Sequence, residues 1–480
     1  MDGTVSTSAG SLVGSMPLEL LGAIFTLCLP AVNAVQPSIT RVSKEAARAY
    51  QLQPFQLAAV SRQWRFASLH WPRAWSHIEI YSDNDEETIK STASMLDVVL
   101  SRSANTWLTI RVSRAILAWP SHRQRATAKL LSKHMARCRT VYFDFAKVWK
   151  SDDMLSILQV PTPQLRDAYL WSDETVRDRH LPLFLRNAPL LKNLAWSTPF
   201  ICRVSPLPSL RHMELIAARI TSERTKLTPI LKACSNLVQL EISFPTIRTI
   251  AAGLGQVTRV RCSALKYLII RTGIKTCDMI SFWSHVDAPE LQKLTTYGAL
   301  KQCSERLAFI RHALTVERPE KLTRIAIGEL AMTEPCLEQL KSLFQDIAQV
   351  ESLCIFGTKF DREGLAAFCA ALLPPAIVGE EAPILTSITT WPLPALKRIY
   401  LRNCGFSDDC NLTLLVTCVR ARVEAASQQQ SDRVPTLLHY AEFHNIEIRL
   451  GVEIEGIIAS QWETQASETA PVGTSRQLTI

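Results

Sequence analysis

No GxxxxGK[ST] or GxGxxG phosphate cradle, HExxH zinc pair or GxSxG nucleophile elbow occurs in the 480 residues. The sequence therefore offers no motif for nucleotide binding, zinc-dependent hydrolysis or serine-hydrolase chemistry. The 13 cysteines contain no CxxC pair and are odd in number, which suggests neither a disulfide framework nor a zinc-ligand spacing. Reduced, mostly buried thiols are the expectation, and no residue is assigned a catalytic, cofactor-binding or metal-binding role. Residues 1–19 hold Asp2 and Glu19 but no Lys or Arg, so the apolar run Leu20 to Pro30 lacks the basic flank of a secretory leader. The run is also too short to span a bilayer. No membrane partner is expected, and the location expected is cytoplasmic and/or nuclear.

Acidic residues are missing from Val98 to Phe143, which carries nine Lys/Arg. The rest of the chain balances 44 basic against 44 acidic residues, so the net charge of +9 resides in that one stretch. Hydrophobic residues make up 47%, charged residues 20%, and the mean hydropathy is +0.07. These values fit a folded chain, and its length calls for several domains or one elongated repeat array.

Residues 1–15 are rich in Ser, Gly and Thr and read as a mobile tail. A helix is expected from Pro17, whose missing N–H suits a first turn, with Glu19 near the positive end of the helix dipole. Leu20, Ile24 and Leu27 share one side and Leu21 and Phe25 an adjoining one. A second helix is expected after Pro54, with Leu57, Val60 and Trp64 on one stripe. Then come Trp71-Pro72-Arg73-Ala74-Trp75 and a short alternating strand, Ser76 to Ile80.

Met16-Pro17-Leu18-Glu19-Leu20-Leu21 with Ile24-Phe25 resembles the opening of the F-box, and Leu57-Ala58-Ala59-Val60-Ser61-Arg62-Gln63-Trp64-Arg65 resembles its second half. Trp71 to Ser76 is similar to the sequence that follows the F-box in many fungal members. Residues 31–53 between the halves are longer than a compact F-box allows, and Arg41 to Tyr50 among them have helical composition. The resemblance implies a substrate-recognition subunit of a cullin-RING (SCF-type) ubiquitin ligase that contributes no catalytic group. It would bind a Skp-type adaptor through Pro17, Leu18, Leu21, Ile24, Phe25, Leu57, Val60 and Trp64.

Downstream, an apolar residue, a second three positions on and a third two beyond that recur. The series runs through Leu165-Ala168-Leu170, Leu191-Leu194-Trp196, Leu210-Met213-Leu215, Leu237-Leu240-Ile242, Leu265-Leu268-Ile270, Leu291-Leu294-Thr296, Leu322-Ile325-Ile327, Val350-Leu353-Ile355 and Leu396-Ile399-Leu401. Most starts lie about 26 to 31 residues apart, within the leucine-rich-repeat range. Several units have a Cys or Pro just before the first leucine, and Leu396 to Cys404 most resembles the cysteine-containing leucine-rich repeats that often follow F-boxes. Pro335 to Ile347 is expected as a returning helix with Leu337, Leu340, Phe344 and Ile347 on one face.

The expected fold is α/β: a helical F-box over 16–80 with its insertion at 31–53, linker helices and a solenoid cap over 81–145, and degenerate leucine-rich repeats over 146–450. Parallel strands would line the concave face and helices the convex face, with a mobile tail over 451–480. Two loops, 371–395 and 421–435, are expected to leave the array. For the basic stretch two readings stand. Arg123, Arg125, Lys129, Lys133, Arg137 and Arg139 could grip an acidic or phosphorylated protein target, or 121–139 could be a solvated helix face. Nucleic-acid binding ranks below both, because no nucleic-acid motif accompanies the charge. A scaffold or interaction protein with no ligase role, its N-terminal helices serving as a cap, is the alternative function.

Overall fold

All nine spaced triplets lie on or just before a β-strand, and every residue in them is buried. The computed structural model describes residues 16–28, 44–80, 86–113, 119–144, 156–171, 185, 187–197, 206–216, 227–244, 259–272, 283, 286–298, 303–317, 319–373, 392–407, 410, 413–427 and 440–444. The expected tails 1–15 and 451–480 lie outside the described residues, as do the middle of the first expected loop and most of the second. The chain divides into two units, Met1–Ala218 with Thr225–Leu237, and Arg219–Arg224 with Val238–Ile480.

The first unit opens with helices α1 (Leu18–Cys28), α2 (Lys44–Ala59) and α3 (Arg62–His70) and a 3-10 turn at Pro72–Trp75. It continues with β1 (His77–Ile80), α4 (Glu86–Arg102), β2 (Leu108–Val112), α5 (Ser121–Ser132), β3 (Cys138–Asp144), β4 (Asp167–Trp171), β5 (Asn193–Ser197), β6 (His212–Ile216) and α6 (Leu227–Ala233). Strands β1 to β6 are neighbours in chain order, and their pairings are parallel. β1 is the short strand expected at Ser76 to Ile80, and it heads the parallel strands, which therefore begin well before the repeats expected from 146. Trp75-Ile78-Ile80 and Cys138-Val141-Phe143 have the same spacing as the nine triplets and are equally buried, although neither begins with leucine.

The second unit contains β7 (Gln239–Phe244), β8 (Val260–Arg261), β9 (Tyr267–Thr272), β10 (Val286–Asp287), β11 (Lys293–Gly298), α7 (Cys303–Glu317), β12 (Arg324–Gly328), α8 (Glu334–Asp346), β13 (Ser352–Phe356), β14 (Lys359–Phe360), α9 (Arg362–Leu372), β15 (Arg398–Arg402), β16 (Gly405–Phe406), α10 (Thr413–Ser427) and β17 (Tyr440–His444). Its main strands run β7-β9-β11-β12-β13-β15-β17, all parallel. In register, Leu240, Leu268, Leu294, Ile325, Leu353 and Ile399 form one row of the core. Helices α7 to α10 pack in succession. Leu340 and Phe344 on α8 and Ile347 just past its end are buried as expected, while Leu337 is half-exposed. Successive parallel strands, with helices between β1, β2 and β3 in the first unit and between β11, β12, β13, β15 and β17 in the second, fit a solenoid-like α/β array.

Two backbone devices recur. The amide of each first triplet residue donates to the carbonyl three positions earlier, as in Leu165 to Thr162, Leu237 to Cys234, Leu265 to Cys262, Val350 to Ile347 and Leu396 to Leu393. The acceptor residues are buried too, which explains why Cys, Ala or another small or apolar residue precedes the leucine. At the strand exits, Glu329, Gly357 and Asn403 follow mutually registered residues and all have positive φ, at 52°, 62° and 52°. Asn and Gly tolerate this left-handed backbone, and each of the three is followed by a buried residue, Leu330, Thr358 or Cys404.

One expectation about the thiols is corrected. Cys303 and Cys336, 33 positions apart, form a disulfide that joins the first turns of α7 and α8, with a Cα–Cα distance of 6.0 Å. The pair has no CxxC spacing, because the repeat supplies the proximity. Of the other described cysteines, all but Cys28 and Cys354 are buried. Two charged side chains are also interior. Arg306 donates to the carbonyls of Gly298 (2.9 Å) and Glu329 (2.7 Å). Arg422 donates to those of Leu372 (2.8 Å), Pro392 (2.9 Å) and Leu393 (2.8 Å). Burial pushes both guanidinium pKa values down to about 10, so both stay charged at neutral pH.

If the registered triplets carry the fold, Leu353→Ala should cost ~2–5 kcal/mol. Ser352→Ala, on the other face of the same strand, should stay within ~0.5 kcal/mol. Thermal unfolding of the two variants checks this, and equal losses would contradict it.

Candidate functional site

The N-terminal helices divide their apolar residues between an interior and a surface. Leu21, Phe25, Leu57 and Ala67 form a buried cluster, with Met16, Trp64 and Trp71 packed against it. The Phe25 and Trp64 rings are tilted with centroids 5.2 Å apart. Gly22 is required by a close approach, since a Cβ there would sit 2.6 Å from ring carbons of Trp71. Gln63 ties the start of α1 to α3 by donating to the Met16 carbonyl at 2.9 Å. Below this cluster, Trp75 is fully buried, donates to the Ser68 carbonyl at 2.7 Å and stacks edge-on with Phe55. Arg102 lies over the Trp75 ring at 4.5 Å, which fastens α4 to the helical unit.

The single helix expected after Pro54 is two. Pro54 lies inside α2, and the chain breaks at Val60-Ser61. Ser61 is extended, and its hydroxyl accepts from the Trp64 amide at 3.1 Å to cap α3. Leu57, Val60 and Trp64 therefore do not share one helical stripe. The part of the 31–53 insertion that the structure describes continues directly into α2 from Lys44.

Of the eight residues that the F-box resemblance assigns to an adaptor, Leu21, Phe25 and Leu57 are enclosed by the chain itself and belong to its core. Ile24 and Trp64 are half-buried, and Pro17, Leu18 and Val60 are exposed. The side of α1 away from the core, Leu20, Ile24 and Leu27, forms an apolar stripe, with Leu20 55% and Leu27 85% exposed. Phe66 (51%) and Leu69 (41%) are exposed on α3, and Val60 (59%) at the α2–α3 break. Helical spacing puts Leu20 and Leu27 on this stripe, but the matched motif gives them no role, and Phe66 and Leu69 lie outside that motif.

The six cations assigned to an acidic partner do not form one group. Arg125, Lys129 and Lys133 are exposed at four-residue steps along and just past α5, and Arg123 is half-buried. Arg139 is exposed on β3. Arg137 is committed to the fold. It donates to the carbonyl of Leu100 (2.9 Å), the hydroxyl of Ser103 (2.8 Å) and the carbonyl of Ala104, and it meets His134 at 3.2 Å. The guanidinium thereby satisfies carbonyls at the C-terminus of α4 that lack helical donors. Burial, then the positive Arg137 and Lys133, hold the His134 imidazole below its ordinary range.

On the face of the first sheet opposite the triplets, side chains form registered rows. Glu79, Arg111, Tyr142, Tyr169, Ala195 and Glu214 make one. Arg111 lies 3.7 Å from Glu79 and 4.6 Å over the Tyr142 ring, and Tyr142 stacks on Tyr169 at 4.5 Å. Burial raises both tyrosine pKa values, so both phenols stay protonated. In the neighbouring row Thr140 and Asn193 donate to the Asp167 carboxylate at 3.1 and 2.5 Å. Among the described residues no three His, Cys, Asp or Glu side chains are grouped to hold a metal ion, and no helix is long and apolar enough to cross a membrane. No protein-family model and no curated protein matches this chain.

Because Arg137 satisfies backbone carbonyls, Arg137→Ala should lower stability by ~1–3 kcal/mol. Lys129→Ala, on the exposed side of α5, should change it by no more than ~0.5 kcal/mol. Chemical denaturation distinguishes them, and a neutral Arg137→Ala would remove its structural role.

Proposed function

We propose that the chain is an F-box protein with leucine-rich-repeat-like strands, serving as a substrate-recognition subunit of a cullin-RING ubiquitin ligase. The observation that carries this reading is the apolar surface left on the helical unit, Leu18, Leu20, Leu27, Val60, Phe66 and Leu69, beside the ordered motif of residues 16–76. Each such side chain is worth ~1.5–3 kcal/mol when fully covered, although docking costs return much of that gain. A Skp-type adaptor would supply the cover. Leu21, Phe25, Leu57 and Trp64 then hold the docking helices in place, and the exposed residues make the contact. Such a receptor acts by proximity: it brings a target lysine to a charged ubiquitin-conjugating enzyme without donating a catalytic group.

One observation favours the alternative of a scaffold with no ligase role. Trp75 and β1 join the helical unit directly to the first sheet, as a terminal cap of a repeat array would. A co-purification test separates the readings. Leu20→Ser with Leu27→Ser removes surface without touching the core, so the variant should unfold at the wild-type temperature and lose adaptor and cullin by ~10-fold or more. Failure of the wild-type chain to capture either protein would leave the cap reading.

A further inference from the structure

The register of the first unit aligns four cations that are scattered in sequence. The amide of Arg166 donates to the carbonyl of Arg139 at 2.8 Å, that of Lys192 to Arg166 at 2.7 Å, and that of Arg211 to Lys192 at 2.9 Å. Arg139, Arg166, Lys192 and Arg211 thus hold one repeat position on four successive strands, at the end where the strands begin, and all four are exposed. At a strand spacing of ~4.8 Å they span ~14 Å. Arg139, Arg166 and Lys192 have no side-chain partner among the described residues, and Arg211 makes one long bond, to the Asn236 carbonyl at 3.4 Å. The nearest carboxylate along the chain, Asp167, is engaged by Thr140 and Asn193. Four like charges held this close repel one another, and the fold offers no compensating anion in the row.

We propose that this cation ladder binds an extended acidic segment of a partner polypeptide, laid across the strand entries with its anionic side chains on successive rungs. Three of the four rungs are arginines, whose planar guanidinium groups suit bidentate bonds to carboxylate or phosphate oxygens. A single-stranded nucleic acid is the poorer fit, because such ligands also need open aromatic faces for their bases. The tyrosines of this sheet stack on each other and under Arg111. The inference deepens the receptor reading by naming where a target is held, but its chemistry does not depend on an adaptor.

The test uses the full chain and three labelled probes: a peptide of four glutamates alternating with glycine, the same peptide with phosphoserines, and an oligothymidylate of eight nucleotides. Fluorescence anisotropy at low and physiological salt should show both peptides binding, more weakly as salt rises. Tighter binding of the phosphopeptide assigns the ligand to phosphate, and equal or weaker binding assigns it to carboxylate. Arg166→Glu with Lys192→Glu should weaken peptide binding at least 10-fold with the unfolding temperature unchanged. Arg166→Ala with Lys192→Ala should weaken it less. Lys129→Glu with Lys133→Glu, the same net change placed on and beside α5, should leave it within twofold. The proposal is overturned if the ladder variants bind within twofold of wild type, if the α5 variant loses as much, or if the oligonucleotide binds more tightly than either peptide. Adaptor capture by the ladder variants is a separate readout and should be unaffected.

Discussion

In each repeat the chain makes a turn in which an apolar residue's amide bonds to a carbonyl three positions back, and the next strand then buries two more side chains at fixed spacing. The turn sets the phase of the strand, and the phase decides which side chains face the core. A slip of one residue would send Leu268 or Ile325 to the open face and bring Tyr267 or Arg324 inside. Because the strands pair in parallel and in register, each row of leucines is continuous across its unit, and no single repeat could cover its own apolar side. The surface features considered above, the tyrosine stack, the cation ladder and the positive-φ exits, follow from that phase.

This constraint also explains what was legible in the sequence. The nine triplets could be read because their spacing is local and their residues are unmistakably apolar. Trp75-Ile78-Ile80 and Cys138-Val141-Phe143 stand outside the leucine series because their first positions are Trp and Cys, although the alternation of Ser76 to Ile80 already marks β1 as a strand. The repeats expected from 146 therefore leave out the first members of the parallel sheet, which begins at His77. In the helical unit, amphipathic spacing gave the helices but not their division. Ser61 is an ordinary capping residue, and only its extended backbone and its bond to Trp64 reveal a break where one stripe had been expected.

The candidate sites were legible in smaller part. Motif matching identified residues that hold the helices together, Leu21, Phe25 and Leu57, as readily as residues that face outward, because both kinds are apolar and recur at the same spacing. Charge density drew attention to 121–139, yet Arg137 there serves α4. The more regular array needed Arg166, Lys192 and Arg211, which are 19 to 45 positions apart in sequence from one another. They meet only because each occupies the residue just ahead of a strand or at its threshold. Proximity of this kind depends on long-range register, as does that of Cys303 and Cys336.

Hydrogen–deuterium exchange resolved to single amides tests the phase of the repeats most directly. The amides of Leu165, Leu191, Leu237, Leu265, Leu291, Leu322, Val350 and Leu396 each bond within a buried turn, so they should exchange among the slowest in the protein, together with the strand amides that follow. Exchange of these amides at the rate of unprotected backbone, in a chain that otherwise remains folded, would contradict the account.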